Sequence, residues 1–239
     1  MIQSFLLLCT VALAAANTIF PFTFSSFVHG PYVCPMAGGG IRAALIPSST
    51  GTPVIESRLA LPAAFQEEVF FKYDVLFEEG FEWVKGGKLP GLFGGPRTVH
   101  ATGCVVQPLN AWSVRLMWAR NASIQLYLYD QSRRWLHTPC GTALNTHRPV
   151  LQIGTWMTFT IHVKLNSGAG KSDGLVALYI DGIQTLKMDQ VQLRGVNGSA
   201  TIDWALFSLF YGGHDSTWSP SKTTYIQFRN PSCSQTMLQ

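Results

Sequence analysis

Charged side chains are scarce in this chain of 239 residues. Asp, Glu, Lys and Arg make up 13% of the residues, whereas hydrophobic residues make up 47%. This balance excludes a disordered chain, which has high charge and few apolar residues. No dense run of Lys or Arg occurs, so the formal net charge of +4 does not indicate a nucleic-acid-binding protein. The modest positive excess suits an acidic partner instead.

Long apolar runs are also rare, and the one candidate is N-terminal. Residues 5–16 (F-L-L-L-C-T-V-A-L-A-A-A) are uncharged and apolar but too short to span a bilayer. They end in small residues, with an A-x-A-like cleavage site at 14–16, as a secretory signal peptide does. We therefore predict a signal peptide over residues 1–16 and a secreted mature chain that begins at Asn17. No later segment is long and apolar enough to cross a membrane.

Cysteines are few and widely spaced. No two of them lie two to four residues apart, which argues against a zinc site. Without the signal peptide an even number remains in an oxidising compartment, which favours two disulfides. Three connectivities are possible, and we expect Cys34 to pair with Cys233 and Cys104 to pair with Cys140. Two N-glycosylation sequons agree with a secreted chain: Asn121 and Asn197.

Helical patterns are missing as well, since we find no convincing amphipathic helix, no heptads and no internal repeat. Residues 17–51 are irregular and rich in Pro, Gly and Ser. Strand-like segments follow between turn signals, with Asp181-Gly182 as the strongest hairpin signal. They predict strands at 69–77, 98–106, 112–118, 124–129, 156–165, 175–180, 183–188, 201–211 and 223–229. Such spacing is typical of an antiparallel sandwich or jelly roll, so we predict an all-β, single-domain fold over residues 17–239.

Glycine is concentrated in residues 84–95, which read V-K-G-G-K-L-P-G-L-F-G-G. The glycines and Pro90 exclude a helix and interrupt a strand, so we expect a shaped loop or the frayed end of a strand. Glycine lets a backbone approach a ligand closely, and Lys85 and Lys88 supply positive charge. The segment is not a phosphate-binding loop, because Leu89 follows Lys88 where a hydroxyl is needed. The alternative is a tight surface turn with two solvated lysines.

Two predicted strands around Asn121 present polar residues on a common face. In W-S-V-R-L-M-W (112–118) and I-Q-L-Y-L-Y (124–129), apolar and polar residues alternate. Trp112 and Trp118 fall on the core face. The alternative is an amphipathic hairpin whose outer face is polar without being functional. A hairpin centred on Asn121 makes two pairs on the face away from the core: Arg115 opposite Tyr127, and Ser113 opposite Tyr129.

Lys88, Arg115 and the two tyrosines would form a cationic patch without a carboxylate. Glycoside hydrolysis usually needs a pair of acids, so the patch is poorly suited to it. It suits β-elimination from a uronate sugar. A cation neutralises the sugar carboxylate and acidifies the C5 proton, an amine or phenolate removes that proton, and a phenol protonates the departing O4. Arg115 and Lys88 are candidates for holding the carboxylate, Tyr127 and Tyr129 for base and acid, and Lys88 is a rival base.

Three motifs resemble polysaccharide lyase family 14, and within it the secreted alginate lyases of herbivorous marine molluscs: K-G-G-K-L-P-G-L-F-G-G (85–95), S-V-R-L-M-W (113–118) and Y-L-Y (127–129). The resemblance covers essentially the whole mature chain, including G-G-H-D-S-T-W-S-P-S-K (212–222). It implies a β-jelly roll, endolytic β-elimination of alginate with a preference for polymannuronate, no cofactor and secretion into digestive fluid. Carried over by motif, the functional residues are Lys88, Ser113, Arg115, Tyr127 and Tyr129.

Three further residues are candidates for contacts with neighbouring sugars: Lys85, Arg97 and His100. Each also has a simpler interpretation as a solvated or structural residue. We expect a monomer that binds an acidic polysaccharide, with no metal, nucleic-acid or membrane partner. Two alternatives remain open. One is a lyase that acts on another uronan such as glucuronan, and the other is a non-catalytic carbohydrate-binding jelly roll.

Overall fold

The computed structural model describes residues 18–104, 108–132, 140–195, 200–213 and 215–238. The predicted signal peptide and the sequon at Asn197 lie outside these residues. Four short 3-10 turns are present among them, at Phe24–Ser26, Ala37–Gly39, Ala63–Phe65 and Ser216–Trp218. No helix in the described part of the chain is long and apolar enough to cross a membrane. The strands of the described residues are β1 (Ile19–Pro21), β2 (Val33–Pro35), β3 (Ile41–Leu45), β4 (Ile55–Ala60), β5 (Glu68–Phe77), β6 (Gly86–Gly94), β7 (Trp112–Ala119), β8 (Ile124–Tyr129), β9 (Thr142–Asn145), β10 (Met157–Lys164), β11 (Gly174–Ile180), β12 (Ile183–Val191), β13 (Trp204–Tyr211) and β14 (Thr224–Ser234).

The strands form two antiparallel sheets that pack face to face. The larger sheet has the order β12-β11-β10-β5-β14-β3-β2, with β1 also paired to β14. The smaller sheet has the order β4-β13-β6-β7-β8-β9. We call the face of the smaller sheet that points away from the larger sheet its outer face. The prediction of an all-β jelly roll in a single domain is confirmed.

The main core lies between the sheets and follows from the alternation of apolar residues. Every second residue of β5 is buried, and the same alternation marks much of β10. Both tryptophans of β7, Trp112 and Trp118, are fully buried in this core, as predicted. Asp181 and Gly182 form the predicted turn between β11 and β12. Both have positive φ (50° and 79°), which matches the right-handed twist of a tight hairpin.

The glycine-rich segment is a strand, β6, between β13 and β7 in the smaller sheet. We expected a shaped loop or the frayed end of a strand, and both expectations were wrong, because the segment is a central, fully buried strand. All residues of β6 are buried. Neighbouring groups fill the space that side chains would need at its glycines. A Cβ on Gly87 would lie 2.2 Å from a ring carbon of Trp118, and one on Gly91 would lie 2.0 Å from the carbonyl oxygen of Val114. Glycine here permits close packing within a sheet and does not mark a turn.

Other strand predictions failed where the local pattern was weak. Residues 98–104, the described part of the predicted strand 98–106, contain no strand. Conversely, residues 17–51 were predicted to be irregular but contain β1, β2 and β3, which pair with β14 or with each other. Strands β4 and β9 were not predicted. They lie at the two edges of the smaller sheet, where little burial is available to produce a regular alternation.

One disulfide bond forms as expected, between Cys104 and Cys140. The other expected bond does not form, and Cys34 and Cys233 are both free thiols. Cys34 in β2 pairs with Arg42 in β3, which pairs with Gln227 in β14. Cys233 lies about 20 Å farther along β14, given a rise of ~3.3 Å per residue. A disulfide needs Cα atoms within about 7 Å, so the prediction for this pair was wrong.

Candidate active site

The hairpin of β7 and β8 carries four of the predicted site residues on the outer face. Its register places Ser113 opposite Tyr129 and Arg115 opposite Tyr127, as predicted. The core-facing residues between them, such as Val114 and Leu116, are fully buried. Because side chains alternate along a strand, burial of one set turns the other set to the outer face.

Strand β6 adds the fifth residue. Lys88 pairs with Met117 of β7, and an irregularity in the pairing near Pro90 lets Gly91 face Arg115. The Lys88 side chain crosses the outer face, where Nζ donates to Met117 Sδ at 2.7 Å and lies 3.5 Å from the centre of the Tyr127 ring. Lys88 is only 7% exposed. The five residues carried over by motif therefore lie together in the folded chain.

Burial changes the charge state of Lys88. Loss of hydration, and secondarily the positive charge of Arg115, hold the pKa of the Lys88 amine well below its ordinary value of 10.5. Both effects disfavour the ammonium form. A neutral amine accepts a proton, so the site contains a potential general base.

Arg115 is the second buried cation. It is 2% exposed, and its Nε has no hydrogen-bond partner among the described residues. The guanidinium carbon lies 5.4 Å from the centre of the Tyr129 ring. Burial lowers the pKa of Arg115 below its ordinary value, but a guanidinium remains charged in proteins. A buried donor without a partner favours an anionic ligand, since an unsatisfied buried N–H destabilises the protein.

The two tyrosines contact each other and the segment that covers them. Their ring centroids are 5.2 Å apart at an interplanar angle of 83°, and the Tyr129 hydroxyl donates to the Tyr127 hydroxyl at 3.4 Å. The amide of Gly103 donates to the Tyr129 hydroxyl at 3.1 Å. Burial raises the pKa of Tyr129, so its phenol keeps its proton at neutral pH. Ser113 is fully buried, and its hydroxyl donates to the Ala101 carbonyl at 2.7 Å.

The side chains of Lys88, Arg115, Tyr127 and Tyr129 line a cavity of about 490 Å³, and Ser113 does not. Part of the cavity wall comes from the chain after β13, including Gly213 and Trp218. Two carboxylates also line the cavity, on Glu56 and Asp215. The cationic patch was predicted without a carboxylate, and the cavity around it does contain them. The described residues contain no group of three or more His, Cys, Asp or Glu side chains that could hold a metal ion.

A family model for polysaccharide lyase 14 matches residues 47–231, which is more than half of the chain. The chain belongs to polysaccharide lyase family 14. It is therefore a polysaccharide lyase by family. No curated protein sequence is a significant match to it.

Solved structures confirm the fold of this family 14 lyase. A mutant of alginate lyase Aly36B in complex with an alginate trisaccharide matches with a TM-score of 0.73 and 17% identity, covering 93% of this chain and 100% of that one. The PL-14 alginate lyase from Aplysia kurodai matches with a TM-score of 0.66 and 24% identity, covering 90% and 89%. The endo-β-1,4-glucuronan lyase from the fungus Trichoderma reesei matches with a TM-score of 0.56 and 11% identity, covering 93% and 89%.

The three further candidates lie around the site rather than in it. Lys85 donates from Nζ to Thr217 Oγ1 and lies 5.6 Å from the Trp218 ring, at the edge of the cavity. Arg97 lies 5.7 Å from the ring of Trp204, beside a separate cavity of about 430 Å³. His100 contacts Arg58. None of the three lines the cavity that contains Lys88 and Arg115.

Several cavity residues were not predicted from the sequence. Met117 shares the outer-face parity of Ser113 and Arg115, so its strand position was a usable signal. Glu56 lies on β4, an edge strand without a clear apolar alternation, and no local pattern connects it to the site. Thr102 and Gly103 reach the cavity only because the segment before the disulfide crosses the outer face.

Proposed function

We propose that the protein is a secreted alginate lyase that cleaves polymannuronate endolytically by β-elimination and releases unsaturated oligosaccharides. One observation carries this proposal: the site contains both a buried Arg115 and a buried Lys88. The Nε of Arg115 has no partner among the described residues, and the pKa of Lys88 is lowered. Two phenols lie beside them on the same outer face. The family and the alginate lyase structures support a uronan as substrate.

Arg115 is the residue best suited to bind the uronate carboxylate. Its planar guanidinium donates through parallel N–H groups, and its burial strengthens the interaction with an anion. Neutralising the carboxylate lets negative charge from C5 delocalise into it as the proton leaves. The C5–H and C4–O4 bonds then break, a C4–C5 double bond forms, and O4 leaves with a proton.

Lys88 and the tyrosines divide the proton transfers. The lowered pKa of Lys88 favours it as the base that removes the C5 proton. The raised pKa of Tyr129 disfavours a phenolate base and keeps the phenol protonated, as a proton donor must be. Its proton reaches the cavity directly or through the Tyr127 hydroxyl. In polymannuronate the C5 hydrogen and O4 lie on the same side, so both transfers can take place on one face of the sugar. The Ser113 hydroxyl donates to the Ala101 carbonyl in the segment above the site.

An elimination assay on three substrates tests the proposal. Polymannuronate, polyguluronate and polyglucuronate are incubated separately with the protein and a chelator, and ultraviolet absorbance of the unsaturated uronate is followed. We expect the fastest rise on polymannuronate, with viscosity falling before short products accumulate. Reducing ends without this absorbance would show a hydrolase. Salt-sensitive binding without any change in chain length would show a carbohydrate-binding module.

Variants test the assigned roles. Lys88→Arg replaces the titratable amine by a guanidinium that stays protonated, so the base is lost and kcat should fall by at least about 10²-fold. Tyr129→Phe removes the proposed proton donor, and Tyr127→Phe removes its partner. A Tyr129→Phe enzyme with wild-type kcat would contradict the assignment of that tyrosine.

For the wild type, kcat/KM should rise with pH through a pKa below 10.5, because the base must be neutral.

A lyase that acts on glucuronan is the second candidate function. The fold match to the glucuronan lyase from Trichoderma reesei supports it, although more weakly than the alginate lyase matches support alginate. Faster elimination on polyglucuronate than on either alginate block would favour this alternative.

Secretion is supported by the segment 1–16 and by the position of one sequon. Asn121 is exposed at the tip of the β7–β8 hairpin, where an oligosaccharide would not meet the core. We expect a secreted monomer whose first residue is Asn17. N-terminal sequencing, glycosidase treatment and sedimentation of the protein from culture medium test these three points.

A further inference from the structure

Residues 96–104 form a strap across the outer face of the smaller sheet. The strap contacts two of the five site residues. The Ala101 carbonyl accepts the Ser113 hydroxyl at 2.7 Å, and the Gly103 amide donates to the Tyr129 hydroxyl at 3.1 Å. Ala101 is fully buried in a small apolar cluster with Phe93 and Tyr129. A shift of the strap would therefore move the backbone groups that contact Ser113 and Tyr129.

Arg58 holds the first half of the strap. Its Nη1 donates to the carbonyls of Arg97 and Val99, both at 3.0 Å. Its Nη2 donates to His100 Nδ1 at 3.1 Å, since a guanidinium has only donors. The guanidinium carbon lies 4.1 Å from the centre of the Phe93 ring. The side chain of Arg58 is 7% exposed, although its contacts with Arg97 and His100 lie at the surface.

The strand that carries Arg58 also reaches the cavity. Arg58 pairs with Leu206 and Glu56 pairs with Ser208, so both lie on the outer face of β4. Glu56 lines the cavity and forms an ion pair with Arg58 Nη2 at 3.6 Å. An arginine suits this place because its planar fork contacts several acceptors at once, which a lysine ammonium does less well. The second half of the strap is held by the Cys104–Cys140 disulfide.

We infer that Arg58 is a positioning residue for elimination: it fixes the strap so that Ala101 and Gly103 hold Ser113 and Tyr129 in the reactive geometry. This inference rests on the proposed function. Arg58 does not line the cavity, so it acts through the strap rather than on the substrate. A displacement of about 1 Å at a reacting group can lower the rate by ~10²-fold. Loss of Arg58 should therefore affect kcat more than KM.

Arg58→Met tests the inference, with Arg42→Met as the matched control. Arg42 is also paired with a carboxylate, Glu78, and stacked on a ring, Tyr225, but it lies in the larger sheet. We expect Arg58→Met to lower kcat on the preferred uronan by about 10- to 100-fold with KM changed less than about twofold. Arg42→Met should keep the wild-type kcat. Equal kcat values for the two variants would overturn the inference.

Amide hydrogen exchange supplies a readout that does not depend on activity. In Arg58→Met, the Gly103 amide should exchange faster, while the amides of β14 keep their protection. Unchanged protection of Gly103 would overturn the inference. If Arg58→Met does not fold, Arg58→Lys, which keeps the charge and the aliphatic stem, takes its place in both measurements. Absence of elimination by the wild type would refute the proposed function, and the exchange result would still decide whether Arg58 fixes the strap.

Discussion

Lys88 and Arg115 are both buried, and burial lowers the pKa of each group. The charge of Arg115 lowers the pKa of Lys88 further. A buried guanidinium beside a desolvated amine destabilises the folded protein unless an anion joins them. The uronate carboxylate is such an anion in the proposed mechanism. The buried groups of the site therefore lower the stability of the fold and raise its affinity for a negatively charged sugar.

Replacement of Arg115 by lysine should lower kcat/KM by about 10²- to 10³-fold, comparable to loss of one donor to a developing oxyanion. The ammonium keeps the charge but not the paired N–H groups of the guanidinium. Steady-state elimination kinetics measure the effect. Arg229→Lys is the control, since Arg229 stacks on Trp156 at 3.9 Å in the larger sheet. Wild-type kcat/KM in Arg115→Lys would remove Arg115 from carboxylate binding.

Replacement of Lys88 by methionine should abolish elimination and stabilise the fold, because an apolar side chain replaces an amine that loses its hydration on folding. Because the pKa of Lys88 is lower in the folded state, the unfolded chain binds more protons between that pKa and 10.5. The free energy of unfolding of the wild type therefore rises with pH in this window. The gain from Lys88→Met should be larger at pH 6 than at pH 10.

Urea unfolding at the two pH values measures this gain. Lys164→Met is the control, because the Lys164 side chain is 57% exposed. A gain that does not depend on pH, or a loss of stability in Lys88→Met, would contradict the account of Lys88 as a desolvated amine.

Strand β6 is the element that assembles the site. It brings Lys88 next to the β7–β8 hairpin, and its glycines allow the backbones of β6 and β7 and the Trp118 ring to pack without intervening side chains. A strand without these glycines would stand farther from β7. Lys88 would then move away from Met117 and Tyr127, which it now contacts.

Substitution of Gly91 by alanine should destabilise the protein by about 3 kcal/mol or more and lower kcat. The new Cβ would lie 2.0 Å from the Val114 carbonyl oxygen and 2.8 Å from Arg115 Cα, so β6 or β7 must shift. Thermal unfolding should show a fall in Tm of ~2–4 °C per kcal/mol for a domain of this size. Gly168→Ala is the control, since its Cβ would meet only Lys171 Cγ at 3.8 Å. Equal Tm values for the two variants would refute the packing argument.

The fold also determines how the cysteines react. In the chain that begins at Asn17, we expect one thiol, Cys34, to react with a thiol reagent under native conditions, because Cys34 is exposed. Cys233 is fully buried and burial raises the pKa of its thiol, so it should react only after unfolding. Cys104 and Cys140 should react only after reduction. Peptide mapping that finds a bond between Cys34 and Cys233 would contradict the structure.

The amino-acid sequence by itself determined the fold class and the grouping of four of the five site residues. Alternation with a period of two, together with the turn around Asn121, specified which residues of the β7–β8 hairpin share a face. Ser113, Arg115, Tyr127 and Tyr129 followed from that local register. Local pattern sufficed because a hairpin joins residues that are close in the chain, and the tight turn leaves little freedom in their pairing.

The tertiary structure decided what lies around the hairpin. Burial on both faces turned the glycine-rich segment into a central strand, placed Lys88 over Tyr127, and changed the pKa of Lys88 and Tyr129. The strap and its contact with Arg58, and the failure of Cys34 and Cys233 to meet, also depend on distant parts of the chain. Close packing and loss of hydration arise only when such segments meet, so no local pattern in the sequence could reveal them.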